Sequence, residues 1–200
     1  MIEEIYIVSA PSGAGKTTLL KRLLAADPGL RFSISYTTRP PRTGESHGQE
    51  YFFVTREEFL RIRDQGGLLE WVEQFGHFYG TSRDYVFESL VEGYGIVFDL
   101  DVRGAKALKK KFPSATFIFI LPPSLEVLEQ RLQDRGGLSP EELARRLEQG
   151  RGEVGEAHWY DYLVVNEHLE DALTEVQAVI RANRCRTFRV WPRLASRFGF

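Results

Sequence analysis

The chain has 200 residues, 42% of them hydrophobic and 27% charged, which fits one domain, or one with a modest insertion, around a real core. Its 26 Lys and Arg against 28 Asp and Glu give a formal charge of −2, which removes any prior for blanket nucleic-acid binding. One cysteine, Cys185, excludes an intramolecular disulfide and a cysteine-built zinc cluster, and the longest apolar run, Phe117 to Leu121, is far below the roughly 20 residues a bilayer crossing takes. The four histidines, His47, His77, His158 and His168, show no ligand spacing, and Met1-Ile2-Glu3-Glu4 is acidic where a signal peptide needs a basic start. A soluble, cytoplasmic protein without structural metal is expected.

Four short runs read as strands: Ile5 to Val8, Ile96 to Phe98, Phe117 to Leu121, and Leu163 to Val165. They are apolar throughout rather than alternating, as in strands covered on both faces. Helical patterns lie between and after them, over Thr17 to Ala26, Gly104 to Lys111, Leu125 to Arg135, and Leu169 to Arg184. Strand and helix alternating in this way predict an α/β fold with a parallel sheet and right-handed crossovers.

Directly after the first strand stands Ala10-Pro11-Ser12-Gly13-Ala14-Gly15-Lys16-Thr17, followed by a helix. Pattern and context fit a phosphate-binding loop. Gly13 and Gly15 let backbone N–H groups turn inward around an anion, and the helix adds its positive end. Lys16 suits the β- and γ-phosphates of a nucleoside triphosphate. The Thr17 hydroxyl suits Mg²⁺, with Thr18 beside it. Ala10 departs from the general motif, which has glycine there.

Residues 37–90 break the rhythm. Thr55 and Glu58 form a capping box that opens a helix to about Gln65. Tyr51 to Phe53 and the stretch Leu68 to Phe78 read as strands, the latter a hairpin with Gly76 near its turn. A small α+β insertion is expected here. Asp99 and Asp101 then follow the Ile96 strand, at the sheet edge where ligands bind in open α/β folds. Asp99 is suited to hold a water on a metal; equally, one of the two carboxylates can cap the helix near Gly104.

A second insertion is expected over 135–157. Arg131 and Arg135, spaced i, i+4, share a helix face leading into it. Ser139-Pro140-Glu141-Glu142 supplies an N-cap, a proline at the first helical position and an acid in the first turn. Gly150, Gly152 and Gly155 fall inside the helix so predicted, each costing about 1 kcal/mol against Ala. They fit either a frayed surface helix or a mobile segment hinged there. The last twenty residues carry six arginines and no acid, and Pro192 should stop a helix running on from 169. A tail packed on the acidic body, subunit association and weak contact with polyanions are all open for it.

The segment Ser35-Tyr36-Thr37-Thr38-Arg39-Pro40-Pro41-Arg42, with Gly44-Glu45 and Gly48-Gln49-Glu50-Tyr51-Phe52, resembles the signature of guanylate kinases. Glu70-Trp71, Tyr79-Gly80-Thr81, Asp99-Leu100-Asp101, Arg131 to Gly136, Arg146 and Val165-Asn166 follow in the family's order, and the likeness runs from Ile5 to roughly Arg181. It implies a P-loop nucleoside monophosphate kinase fold. The core would comprise 1–36, 91–124 and 157–182, with a GMP-binding insertion over 37–90, a helical lid over 125–156 and a basic tail over 183–200. Thr81 stands where serine is common, and Tyr36 where a smaller residue is common.

By this resemblance the protein transfers the γ-phosphoryl group of ATP to GMP, and to dGMP, with Mg²⁺. Glu70 would accept the N1–H and N2 amine of guanine, with Ser35 near O6 and Asp101 and Thr81 lining the base pocket. Adenine has no matching donor pair, and a site built on such bonds can reject the analogue by factors of about 10⁴. Arg39, Arg42, Tyr51 and Tyr79 would hold the GMP phosphate. Ala10 to Thr18 would cradle the ATP phosphates, Arg135 would cover them, Arg146 would return to them from the lid, and Asn166 would touch the adenine. The substrate-binding set includes Asp99; Lys16, Arg42, Arg135 and Arg146 carry the chemistry. The accepting phosphate oxygen is ionised at neutral pH, so no general base is needed. Two rivals remain, a phosphopeptide-binding module of the same fold and a kinase for another monophosphate. The intact phosphate loop and the lid arginines Arg135 and Arg146 speak against the first, and a coupled assay across GMP, AMP, CMP and UMP decides the second. No specific nucleic acid is expected as a partner, and both a monomer and a homo-oligomer are open.

Overall fold

The computed structural model describes residues 4–74, 76–134, 136–137 and 139–200. Five strands build a central sheet: β1 (Ile5–Ser9), β2 (Leu30–Phe32), β7 (Gly95–Asp99), β8 (Thr116–Leu121) and β9 (Tyr162–Val165). Their order across the sheet is β2-β7-β1-β8-β9, and every neighbouring pair is parallel. The apolar runs of the sequence are therefore strands of a parallel α/β sheet. Alternate residues of each strand feed opposite faces. Ile5, Ile7, Phe98, Phe117 and Phe119 join one buried cluster, with Ala105 and Leu108 of the helix α4 (Val102–Lys111). Tyr6, Val8, Ile118 and Ile120 join the other.

The second face is covered by α1 (Lys16–Ala26) and α7 (Leu169–Arg184). In α1, Leu19, Leu20 and Leu23 are buried, each contributing about 2 kcal/mol by leaving water. Ala172, Val176 and Ile180 do the same from α7 with the i, i+4 spacing of a helical stripe. One expectation fails in detail. The strand β9 is an edge strand with only Val164 buried, and Leu163 and Val165 are exposed, so it is not covered on both faces.

A second sheet stands apart from the first, in the order β4-β3-β6-β5. It comprises β3 (Ser35–Thr37), β4 (Tyr51–Phe53), β5 (Leu68–Gln74) and β6 (His77–Ser82). The pair β5 and β6 is the predicted hairpin, with Gly76 at φ 76° between the strands. The helix α2 (Arg56–Asp64) starts at the predicted box, where the Thr55 hydroxyl accepts from Glu58 N at 3.1 Å. Its Phe59 stacks on Phe78 at 5.2 Å between ring centres. Helix α3 (Arg83–Val91), which the sequence reading lacks, returns the chain to the core.

Past β8 come α5 (Leu125–Asp134) and α6 (Pro140–Gly155). The Ser139 hydroxyl caps α6 by accepting from Glu142 N at 3.2 Å, with Pro140 at the helix start. The helix runs unbroken through Gly150 and Gly152. Gly150 is buried because α6 lies close here; a Cβ would sit 3.0 Å from Leu128 and 3.6 Å from Pro11 of the phosphate loop. The chain then closes with α8 (Thr187–Leu194). Pro192 does not end the long helix; α7 stops at Arg184, and Pro192 sits inside α8. Pro192 has no N–H to donate back to Phe188 O, so α8 runs one hydrogen bond short at that point.

Candidate active site

The phosphate loop joins β1 to α1 and takes its shape from two left-handed glycines, Gly13 at φ 99° and Gly15 at φ 89°. Gly15 is also the N-cap of α1, so the helix starts with no side chain between its free N–H groups and an incoming anion. Thr17 and Thr18 are exposed in the first turn. Lys16 crosses to the end of β7, where its Nζ donates to Leu100 O at 3.1 Å and pairs with the Asp99 carboxylate. The sequence alternatives for the two carboxylates are thereby sorted. Asp101 is the cap of α4, its Oδ1 accepting from Gly104 N at 2.8 Å, while Asp99 faces the lysine.

The same short segment reaches the second sheet through Gly104. This glycine is buried, and a Cβ on it would lie 3.3 Å from Glu70 Oε2. Glu70, on β5, is 7% exposed. Its Oε1 accepts both the Thr81 hydroxyl at 2.7 Å and Thr81 N at 3.2 Å. Burial pushes its carboxyl above the usual range, with Thr81 opposing and the Asp101 charge adding. Ser35, on the neighbouring strand, lies with its hydroxyl 3.4 Å from that of Thr81. A buried carboxylate with one oxygen held and the other turned away can accept two adjacent N–H donors.

Elsewhere on the same small sheet, Arg39 and Arg42 are more strongly engaged than the sequence shows. Arg39 is turned onto Glu45 as a two-pronged pair, Nη2 lying 2.8 and 2.9 Å from the two oxygens. Glu45 also accepts from Arg42 N at 2.8 Å. Burial works against the charge of Glu45, but the Arg42 N–H and the Arg39 fork hold its carboxyl below the usual range. Arg42 itself is exposed. Tyr51 and Tyr79 meet edge to face at 6.1 Å, and burial and then the Asp99 charge push the Tyr51 hydroxyl up to about 12, so it stays a donor. Residues 37–45, Tyr51 and Tyr79 are thus gathered on one side of the small sheet.

A cleft of about 500 Å³ opens between β5, the start of α4 and the second half of α6, with Gln74, Asp101, Arg103, Gln149 and Glu153 among its walls. Burial, and beyond it the Asp101 charge, push the Glu153 carboxyl up, while the hydrogen bond from Gln149 and then Lys16 and Arg103 oppose the rise. The Nε of Arg146, on the same helix, is buried with no hydrogen-bond partner among the described residues. Arg135 lies outside the described residues. Asn166 is buried at the end of β9, and its side-chain amide donates to Ala14 O of the phosphate loop at 2.7 Å.

Residues 3–183 match the family model described as guanylate kinase. A guanylate kinase of Geobacter metallireducens is 45% identical over 194 residues, covering 97% of this chain and 96% of its own. That of Geobacter sulfurreducens is 47% identical over 186 residues, covering 93% and 92%. The chain belongs to the guanylate kinase family. The crystal structure of a guanylate kinase from Anaplasma phagocytophilum superposes with a TM-score of 0.80 at 32% identity, over 100% of this chain and 97% of that one. The fold is accordingly the parallel-sheet, P-loop kinase architecture. The family match ends near the end of α7, so α8 and the basic tail lie beyond it.

Two contacts in this region are not legible in the sequence. Glu45 stands inside a recognised motif without any sign that it clamps Arg39; the one available hint is an acid six residues on, across the turn at Gly44, whose φ is 87°. Gly104 reads as an ordinary helix glycine, and only its position three residues after a capping aspartate hints at a close approach.

Proposed function

We propose that the cleft transfers the γ-phosphoryl group of ATP to GMP, or to dGMP, giving ADP and the nucleoside diphosphate, as a cytoplasmic step of purine nucleotide metabolism. The observation that carries this reading is Glu70. A carboxylate is buried at a cost and kept there by Thr81, with its second oxygen against the start of α4. Such a group is built to be matched by a donor pair, which guanine has and adenine lacks.

Roles follow from position. Ser35, Thr81 and Asp101 line the base pocket with Glu70, and Arg39, Arg42, Tyr51 and Tyr79 surround the acceptor phosphate. The loop Ala10 to Thr18 wraps the donor phosphates, with Lys16 at their terminal end and Asn166 behind the loop. Arg146 approaches from α6 with a buried Nε that has no hydrogen-bond partner among the described residues, and Arg135 belongs to the same lid over 125–156, with 37–90 as the acceptor insertion. Mg²⁺ fits what the chain offers: an exposed Thr17 hydroxyl and the Asp99 carboxylate beside Lys16 are hard oxygen donors. Bound with the phosphates, it would offset their charge.

The five cations Lys16, Arg39, Arg42, Arg135 and Arg146 hold the two nucleotides end to end and neutralise the moving group. The accepting oxygen already carries its charge near neutral pH, so positioning and electrostatics suffice. Closure of the insertion and lid excludes water and suppresses wasted hydrolysis. A coupled assay across GMP, AMP, CMP and UMP, with Mg²⁺ omitted as a control, tests the reading. GMP alone should be turned over, and only with the metal; ATP should be consumed far more slowly without GMP. Equal rates on all four acceptors, or ATP loss indifferent to GMP, would overturn it.

A further inference from the structure

Asn166 is fixed at three points. Its backbone N–H donates to Leu121 O at 2.8 Å, its carbonyl accepts from Arg131 Nη2 at 3.0 Å, and its side-chain Nδ2 donates to Ala14 O at 2.7 Å. The residue is 5% exposed, and its side-chain bond to Ala14 O is buried, while the Arg131 contact is part-buried. The amide fits only because Gly15 carries no side chain; a Cβ there would run into Nδ2. Ala14 lies between the two left-handed glycines, at the point where the loop must hold its N–H groups inward. Arg131 comes from α5, the helix that leads toward α6. The loop is therefore tied through one side chain to the end of β9 and to the root of the lid.

We propose that Asn166 is a positioning residue for the phosphate loop, and that Arg131 braces it through the main chain. The proposal rests on the reading of residues 10–18 as the ATP phosphate site. Its physical content is preorganisation. With the Ala14 carbonyl held outward by the amide, the loop N–H groups already point at the anion, and binding need not order them. The bond lies on the polyphosphate side of the nucleotide, so its loss is felt by any polyphosphate, whatever base it carries.

The test compares ATP with inorganic tripolyphosphate, by calorimetry on the full chain, for the wild type and Asn166→Leu. That change is neutral, so no phosphate affinity is lost through charge. Both ligands should weaken by about tenfold and to the same extent, as for a buried hydrogen bond removed. GMP affinity and the KM for GMP should hold while kcat falls. A loss for ATP with tripolyphosphate unchanged would place the amide on the adenine and overturn the proposal, as would no change in either. If Asn166→Leu also loses GMP binding, Asn166→Ala, which needs no extra room, is judged by the same comparison. Arg131→Lys, which keeps the charge, should restore much of what Arg131→Ala loses. Failure of the wild type to bind either ligand would instead sink the reading of the loop on which the proposal stands.

Discussion

Glu70 joins cost and use in one side chain. Burial raises its carboxyl above the usual range, so the protein bears a desolvation penalty whenever the group is ionised. A folded-state value above the unfolded one means stability present at low pH and lost as pH rises through the folded value. Glu70→Gln removes that dependence while leaving an oxygen to accept from Thr81. The variant should therefore melt higher than wild type at neutral pH, the gap closing as pH falls below the unfolded glutamate value, as calorimetric melts across pH would show. It should also lose kcat/KM for GMP by about 10²- to 10⁴-fold, because an amide cannot accept both guanine donors. Unchanged GMP turnover would remove Glu70 from base recognition. For such residues the sequence was informative about type and order. It was silent on Glu45, whose clamp on Arg39 depends on a loop path that no pattern of residue types encodes.

Among elements, legibility tracked length and burial. The strands β1, β7 and β8 were readable because a run of buried apolar residues has few alternatives. The strands β2 and β3, three residues each, are too short to carry a period, and β9 gave an apolar run although three of its four residues, Tyr162, Leu163 and Val165, face solvent. In α6 the pattern showed three glycines but could not rank them. Gly150 packs on Leu128 and Pro11, whereas nothing lies within 4 Å of a Cβ at Gly152. Opposite outcomes are expected. Gly150→Val should destabilise by about 1–3 kcal/mol through overpacking, lowering Tm by several degrees, and should impair ATP binding by pushing α6 off the loop. Gly152→Ala should stabilise by about 0.5–1 kcal/mol from helix propensity alone. Thermal melts of both variants check this, and equal shifts would mean that α6 is not seated as described.

At the scale of the molecule, the ends of the chain are drawn together by Arg184. Its Nε donates to Glu4 at 2.6 Å and its Nη1 to Asp27 at 2.7 Å, linking α7 to the start of β1 and the end of α1. Burial opposes its charge, yet the two carboxylates hold the guanidinium above its usual value. All three side chains are a quarter to a third exposed, so solvent screens the pair and the gain is discounted accordingly. Arg184→Ala should cost about 1–2 kcal/mol, visible as a Tm drop that shrinks in high salt. A salt-independent drop would assign the loss to packing instead. The last twenty residues were the part least readable from sequence: six arginines without acids announce charge, but only the fold shows that one of them, Arg184, is spent on the protein's own carboxylates.

The pairings of Lys16 with Asp99 and of Arg39 with Glu45 bear on how the protein lets go. Each cation has a resident counter-anion within reach. In the proposed roles of Lys16 and Arg39, an arriving phosphate would compete with that tenant, so tightness would be what survives the exchange. A departing one leaves behind a guanidinium or ammonium group that need not stand bare. Under the proposed roles, moderate grip and ready release would then come from the same two carboxylates.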